Sequence, residues 1–391
     1  MSDRSRSALR STEAIPTALA IEDVLLVPRR SPVRSRRDVD LSSTIVGDLR
    51  LSIPILSSNV PWCTETAMAV AMARLGGMGC VHRMQTIDDQ ANQVRQVKRA
   101  STDGSGSLGV PPSVDGDGRL LVAAAVGVAD DFVKRAEALV DAETDVLLVD
   151  AAHGHLELSL NAVHLLRERY PDLPIMAGNV ATAEGVEDLV AAGAGAVKVG
   201  IGPGGVCTTR AVAGVGVPQF TAVLECAAAG RELGVPIVAD GGIRKAGDIT
   251  KVLAAGAASV MLGSALAGTE ESAAVPGEDD GHSVRSSTGY VSLGMRLTLR
   301  RAEGLAVSRE DFDDYVPEGV EVAFPATGPL RNVLRQLTGG VQSGLSYCGA
   351  PDVPTLQAVA RFVRVTPGGM QESRPHAGEG DGRLIGRFGA S

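Results

Sequence analysis

Four apolar runs decide the fold: DVLLVDAA (145–152), PIMAGNV (174–180), AVKVGIG (196–202) and PIVADGG (236–242). Each is built of β-branched or small aliphatic residues with little alternation, the pattern of strands buried on both faces of a parallel sheet. Helix-length segments lie between them. In AEGVEDLVAAGA (183–194), Val186, Leu189 and Val190 fall on one face. Working outward, LRLSIPILS (49–57), GGMGCVH (76–82) and LLVAAAVG (120–127) precede the four, and SVMLGSAL (259–266) follows them. Eight successive strand–helix units of similar size predict an α/β fold, a closed (β/α)₈ TIM barrel rather than an open doubly wound sheet.

Composition agrees and narrows the function. The 391 residues are 44% hydrophobic but only 3% aromatic, so the core must be aliphatic. A net charge of -9 excludes a nucleic-acid coat, which needs a concentrated basic surface. A small anionic ligand is still compatible, because backbone N–H groups hold phosphate without net positive charge. The five cysteines are odd in number and none has metal-ligand spacing, which fits a reducing, cytoplasmic setting. The N-terminal MSDRSRSALRSTEA has no apolar signal core, and no apolar run is long enough for a membrane span.

Two segments interrupt the rhythm. STDGSGSLGVPPSVDGDG (101–118) is rich in Gly, Ser and Asp and is read as a flexible linker. Residues 268–325 form a polar, Gly-punctuated flap, too long for an ordinary connection after the eighth strand. The organisation expected is a disordered stretch over 1–19, a barrel over 20–100 and 119–376 with the linker between, and a loose tail over 377–391. Helices are expected near 327–345 and 354–363.

In a parallel barrel the chemistry gathers at the C-terminal ends of the strands. The most informative end is GIGPGGVCTTR (200–210), where several glycines let a ligand approach the backbone and Cys207 stands just before a helix. A helix N-terminus favours a thiolate, so Cys207 is the candidate nucleophile. Cys63, Cys80, Cys226 and Cys348 lack such surroundings and are read as structural. Gly241-Gly242 and Gly263-Ser264 end the seventh and eighth strands, where barrels often bind phosphate, and Asp240 beside them suits ribose hydroxyls. A DGG sequence is also compatible with a plain tight turn. His82 and His153 suit either catalysis or structure, and Trp62 either a stacking platform or packing.

These residues resemble the IMP dehydrogenase/GMP reductase family. The likeness is carried by IEDVLLVPRRS (21–31), DVDLSSTI (38–45), AMARLGGMGCVHR (71–83), VDAAHGH (149–155) and AGNVATAEG (177–185). It continues through KVGIGPGGVCTTRAVAGVGVPQ (198–219), VADGGIRKAGDITKVLAAGA (238–257), VMLGSALAGTEE (260–271) and GPLRNVLRQLTGGVQSGLSYCGA (328–350).

The resemblance implies that Cys207 attacks purine C2 to form a thioimidate, with Thr209 and Glu318 as catalytic partners. A carboxyl–hydroxyl pair of that kind can pass a proton to a departing amine. It implies nucleotide binding by Ser57, Gly205, Asp240, Gly241, Gly242, Gly263 and Ser264, and reading of the base by Gly294 and Met295. Asp150, Asn179, Gly200 and Gly202 match cofactor-side positions, and the carbonyls of Gly202, Gly204 and Cys207 a monovalent cation such as K+.

The family's two activities share the adduct and differ afterwards. Oxidation of IMP to XMP with NAD requires a water activator, which in the dehydrogenases resembles an adjacent Arg-Tyr pair in the flap. Residues 296–317, RLTLRRAEGLAVSREDFDDYVP, contain no such dipeptide. The expectation is therefore reductive deamination of GMP to IMP and ammonia with NADPH, with IMP oxidation as the alternative and a nucleotide-binding regulator without turnover as a third possibility. Four departures from the family are Ser58-Asn59-Val60-Pro61 after the first strand, TGYVSLGMRLT (288–298) in the flap, the missing Arg-Tyr, and Gly205 where a phosphate-binding Ser is usual. Full-length relatives often carry a tandem CBS module between the second helix and third strand. Here STDGSGSLG fills that place, and the module is read as lost. A homotetramer or homo-octamer is implied by the family.

Overall fold

The computed structural model describes residues 15–103, 108–128, 131–287 and 319–373. Eight parallel strands close into a barrel. In chain order they are β1 (Ile55–Ser57), β2 (Met78–Val81), β3 (Val122–Val126), β4 (Val146–Asp150), β5 (Ile175–Val180), β6 (Ala196–Val199), β7 (Ile237–Asp240) and β8 (Ser259–Leu262). Sequential strands are neighbours, and β8 pairs with β1 to close the ring. The crossover helices include α1 (Thr66–Arg74), α2 (Ile87–Arg99), α3 (Phe132–Asp141), α4 (Glu157–Arg169) and α5 (Ala183–Ala191). After β6 come the short α6 (Thr209–Ala213) and α7 (Gln219–Leu233), and α8 (Ala246–Ala254) follows β7.

Alternation along the strands divides the core in two. Outward residues such as Val122, Val149 and Val197 join the helices in one large cluster. Inward residues such as Leu56, Met78, Ala123, Leu148 and Met261 form a second cluster inside the ring. Leu, Met, Ile and Val side chains make up most of this inner cluster, so the barrel is filled rather than hollow, as this architecture requires. Several helices start on side-chain caps: Thr86 accepts from Asp89 N at 3.1 Å and Thr182 from Gly185 N at 3.2 Å.

The structure corrects the expected elements in four places. The run 49–57 is two strands, not one. Leu49–Leu51 pairs antiparallel with Ser43–Val46, and only Ile55–Ser57 enters the barrel. Pro54, with no N–H to give, separates them. The hairpin's Ile45, Val46 and Leu51 join the inner cluster and plug the N-terminal end of the barrel. Its position there is fixed by Ser43 Oγ, which donates to Ala258 O at 2.6 Å just ahead of β8.

The linker 101–118 is anchored in its second half. Buried Lys98 donates to Asp115 at 2.8 Å and Asp145 at 2.9 Å, and Arg119 also reaches Asp115. Despite the desolvation it suffers, the Asp115 carboxyl is drawn down to about 2 by Lys98 and by the backbone N–H groups of Arg119 and Asp117. Leu19, expected within a disordered stretch, is tied to Thr221 by hydrogen bonds in both directions.

The fourth correction concerns the flap, which has a folded foot. Strands β9 (Val275–Asp279), β10 (His282–Ser287) and β11 (Val322–Pro325) make an antiparallel sheet over the C-terminal mouth. Arg285 pins it by donating to the carbonyls of Glu270, Ser272 and Ala274. Helix α9 (Ser264–Ala267) precedes this sheet, while α10 (Leu330–Tyr347) and α11 (Val353–Val359) complete the outer layer.

A close helix–strand contact gives a direct test of the packing. A Cβ at Gly79 in β2 would lie 2.4 Å from the Ala69 Cα in α1. Gly79→Ala is expected to lose about 1–3 kcal/mol of stability in urea denaturation, as overpacking at a backbone contact does. Unchanged stability would contradict this packing.

Candidate active site

A lysine inside the barrel organises its C-terminal mouth. Lys198 lies on β6 opposite Gly178 of β5 and Val238 of β7, with its side chain buried. Its Nζ is 3.0 Å from Asp150 Oδ1 at the end of β4 and 2.8 Å from Asp240 Oδ2 at the end of β7. Burial alone would strip its proton, but the two carboxylates outweigh that and hold the ammonium well above the ordinary lysine range. Asn179 adds a second clamp, donating through Nδ2 to Asp240 Oδ2 at 3.0 Å and Gly200 O at 2.7 Å. Buried Gln219 donates to Val199 O at 2.9 Å and Asp240 O at 3.0 Å, tying the ends of β6 and β7 together.

Two glycines make this approach of strands feasible. Gly200 has φ +149°, and a Cβ there would sit 2.0 Å from Asp240 O. Gly241 has φ +91°, a conformation that side chains avoid, and a Cβ would meet Pro203 Cγ at 2.9 Å. The β6 loop can therefore lie directly against the β7 loop.

Cys207 stands on that loop. A tight turn joins its N–H to Gly204 O at 3.1 Å. Its Sγ lies 3.2 Å from Thr209 Oγ1. From the other side the flap's return segment docks on it: Gly319 bridges Cys207, and Val320 N donates to Val206 O at 3.0 Å. The expected helix start is there, but α6 has only five residues, so the hydroxyl of Thr209 is the sulfur's specific partner. The other four cysteines are buried. Burial pushes the Cys63 thiol up to about 11 and Cys226 to about 12, and raises Cys80 and Cys348 as well. Cys207 alone combines partial exposure with a place in the cavity.

The cavity has a volume of about 540 Å³, in the range of a small-molecule site. Asp150, Asn179, Gly200 and Gly202 line one side of it. Gly204, Gly205, Cys207 and Thr209 form the loop side, with Asp240, Gly241, Gly242, Gly263 and Ser264 opposite. Ser57 is the exception. It is fully buried, its hydroxyl shares a 2.8 Å hydrogen bond with Thr64, and the next residue, Ser58, faces the cavity. Gly205 lacks the usual hydroxyl, but its missing Cβ would lie 3.3 Å from Ser264 Oγ, which supplies a hydroxyl beside the same spot.

Gly294, Met295 and Glu318 lie outside the described residues. The two histidines do not reach the cavity: His82 is buried, accepting from Met84 N at 3.1 Å, and exposed His153 packs edge-on to His155. Trp62 lines the cavity, yet one face of its indole is stacked on Phe324.

Lys198, Gln219 and Phe324 escaped the sequence reading. For Lys198 the signal was present, since a lysine within a doubly buried strand demands a buried anionic partner. Lys198→Met should strand two carboxylates in the barrel and cost about 3–5 kcal/mol in urea denaturation. Replacing Asp150 and Asp240 with Asn in the same chain should recover much of that loss. Because the lysine's value is raised, its contribution is constant through neutral pH and is lost only as pH climbs past the usual lysine range. The buried thiols also cost stability as pH rises through their ordinary range, so the lysine's part is read in denaturation series as the stability difference between the parent and Lys198→Met across pH. A difference that shrinks below about pH 9 would contradict it.

Comparison with known proteins agrees with this geometry. Residues 18–376 match the model of the IMP dehydrogenase / GMP reductase domain. The chain is 37% identical to inosine-5'-monophosphate dehydrogenase of Nitrosopumilus maritimus, covering 92% of this chain and 98% of that protein. It is 36% identical to GMP reductase of Leishmania donovani, covering 95% and 99%. Both alignments, over 465 and 487 positions, exceed the 391 residues here, so the relatives carry inserted residues. A crystal structure of GMP reductase from Trypanosoma brucei in complex with guanosine 5'-monophosphate superimposes with a TM-score of 0.87 at 35% identity, covering 93% of this chain and 99% of that one. With its closed barrel, its cysteine loop and its nucleotide-sized mouth, the chain belongs to the IMP dehydrogenase/GMP reductase family of purine-nucleotide oxidoreductases.

Proposed function

We propose that this chain is a GMP reductase, converting GMP to IMP and ammonia with NADPH through a thioimidate on Cys207. One observation carries the reading: the sulfur is paired with Thr209 at 3.2 Å, while residues 296–317 contain no Arg-Tyr pair to activate water. A site equipped to add sulfur and release an amine, without a water activator, suits deamination better than hydrolysis. The similarity to a GMP reductase bound to GMP supports it.

In this reading the nucleotide phosphate lies on the backbone of Gly241, Gly242 and Gly263, with Ser264 Oγ as its hydroxyl donor. The contacts from Lys198 and Asn179 both fall on Asp240 Oδ2, which leaves Oδ1 for the ribose hydroxyls. The purine C2 comes over Cys207 Sγ. The S–C2 bond forms as the C2–N bond breaks, and Thr209 passes a proton to the leaving ammonia. Glu318, Gly294 and Met295 lie outside the described residues; by the family likeness Glu318 would back that hydroxyl and Gly294 and Met295 would meet the base. Asp150, Asn179, Gly200 and Gly202 would hold the nicotinamide end of the dinucleotide. Asn179 Oδ1 is buried without a partner among the described residues, which fits a carboxamide N–H₂. When bound, the reduced dinucleotide supplies the hydride that C2 needs, and Sγ then departs.

A monovalent cation on the carbonyls of Gly202, Gly204 and Cys207 is carried by the family likeness alone, and no step here uses one. NADPH over NADH, a homotetramer or homo-octamer and a cytoplasmic location follow from the family likeness. No helix among the described residues is long and apolar enough to cross a membrane.

A second reading, oxidation of IMP to XMP with NAD, is favoured by relatives at 37–38% identity that carry the dehydrogenase name. Paired assays at the reduced-nicotinamide absorbance band separate the two. GMP with NADPH should lose absorbance, whereas IMP with NAD should gain none. Signal in the second assay alone would establish the dehydrogenase, and signal in neither a nucleotide-binding regulator. Cys207→Ala should reduce turnover on the order of 10³-fold or more while sparing nucleotide affinity.

A further inference from the structure

Trp62 lies just after β1, directly after the Ser58–Pro61 stretch that departs from the family pattern, and it is the chain's one tryptophan. It is 4% exposed. Its ring stacks on Phe324 of β11, with centroids 5.5 Å apart and planes at 28°. On another side the indole abuts Gly263, where a Cβ would come within 3.2 Å of it. The ring is thus wedged between the end of β8 and the flap's return strand.

That strand leads straight to the nucleophile. Phe324 pairs with Arg285 of the pinned sheet. Five residues earlier, Gly319 bridges Cys207, and Val320 N holds Val206 O at 3.0 Å. The outgoing leg is held by Ala273 N to Cys63 O at 3.3 Å, and the return leg is tied again past its strand by Thr327 N to Gly268 O at 2.8 Å. Between the backbone ties at Val320 and Thr327, the stack with Trp62 is the aromatic contact that seats the return strand against the barrel mouth.

We infer that Trp62 is a positioning residue for Cys207. By stacking on Phe324 it fixes the strand whose leading residues hydrogen-bond the nucleophile loop, so the sulfur's placement depends on a ring that need not touch the reacting atoms. The inference rests on Cys207 being the reactive group, but it does not depend on which of the two reactions follows.

The test uses the full chain and four proteins: the parent, Trp62→Ala, Trp62→Phe and Phe324→Leu. Two quantities are read, the alkylation rate of Cys207 by iodoacetamide and the separation of kcat from KM for the nucleotide. Losing the stack should free the loop. Trp62→Ala and Phe324→Leu should each alkylate faster and turn over more slowly, by about 3–10-fold, the size of a lost aromatic pair. KM should move by less than about twofold. Trp62→Phe, which keeps a stacking ring but not the indole N–H, should stay near the parent. Should Trp62→Ala fail to fold, Phe324→Leu carries the same comparison. The inference is overturned by unchanged alkylation in Phe324→Leu or by a rise in KM alone. It is equally overturned by a Trp62→Phe protein that behaves like Trp62→Ala or Phe324→Leu, because that would assign the effect to the indole N–H. If no nucleotide is turned over by any of the four, the proposed function fails, while the alkylation rates still decide the role of Trp62.

Discussion

A positive charge held in the interior of the barrel sets the geometry of the mouth. Lys198 cannot stay charged in an apolar ring without anionic partners, and Asp150 and Asp240 provide them from strands on either side. The three residues come from β4, β6 and β7, so one ion network fixes the relative height of strands that carry different parts of the site. The same pairing decides what the carboxylates can do. Asp240 spends Oδ2 on both Lys198 and Asn179 while the residue lines the cavity.

The nucleophile loop follows from that arrangement. With β6 and β7 drawn together, there is no space for a side chain at Gly200 or Gly241, and these residues allow the two loops to touch. Cys207 is delivered at the edge of this glycine contact, paired with Thr209 and bracketed by the flap's return strand. The remaining cysteines show the alternative fate: buried among aliphatic side chains, their thiols are held protonated. In the proposed reading reactivity is a matter of location, since all five side chains are chemically alike.

The barrel was legible because strands covered on both faces leave unbroken aliphatic runs, and seven of the eight runs correspond to one barrel strand each. The run 49–57 misled because hydrophobicity cannot report a change of partner at Pro54. The flap's sheet was hidden for the opposite reason. Residues Val275–Asp279 are exposed along their whole length, so the strand has no apolar alternation to detect. Ser57 was misplaced by a single residue, which in a strand exchanges the two faces. The contacts that organise the site, Lys198 with Asp150 and Asp240 and Trp62 with Phe324, join residues far apart in the chain. Only the closed ring and the folded flap bring them together.

The central claim is that this mouth presents Cys207 for covalent bonding to the base of a mononucleotide. Acid-quenching the enzyme during turnover with GMP and NADPH, then weighing the cysteine-containing peptides, tests it most directly. The account predicts a nucleotide mass added to the peptide that contains Cys207 and to no other. A bare Cys207 peptide during active turnover, or a nucleotide carried by Cys63 or Cys80 instead, would contradict it.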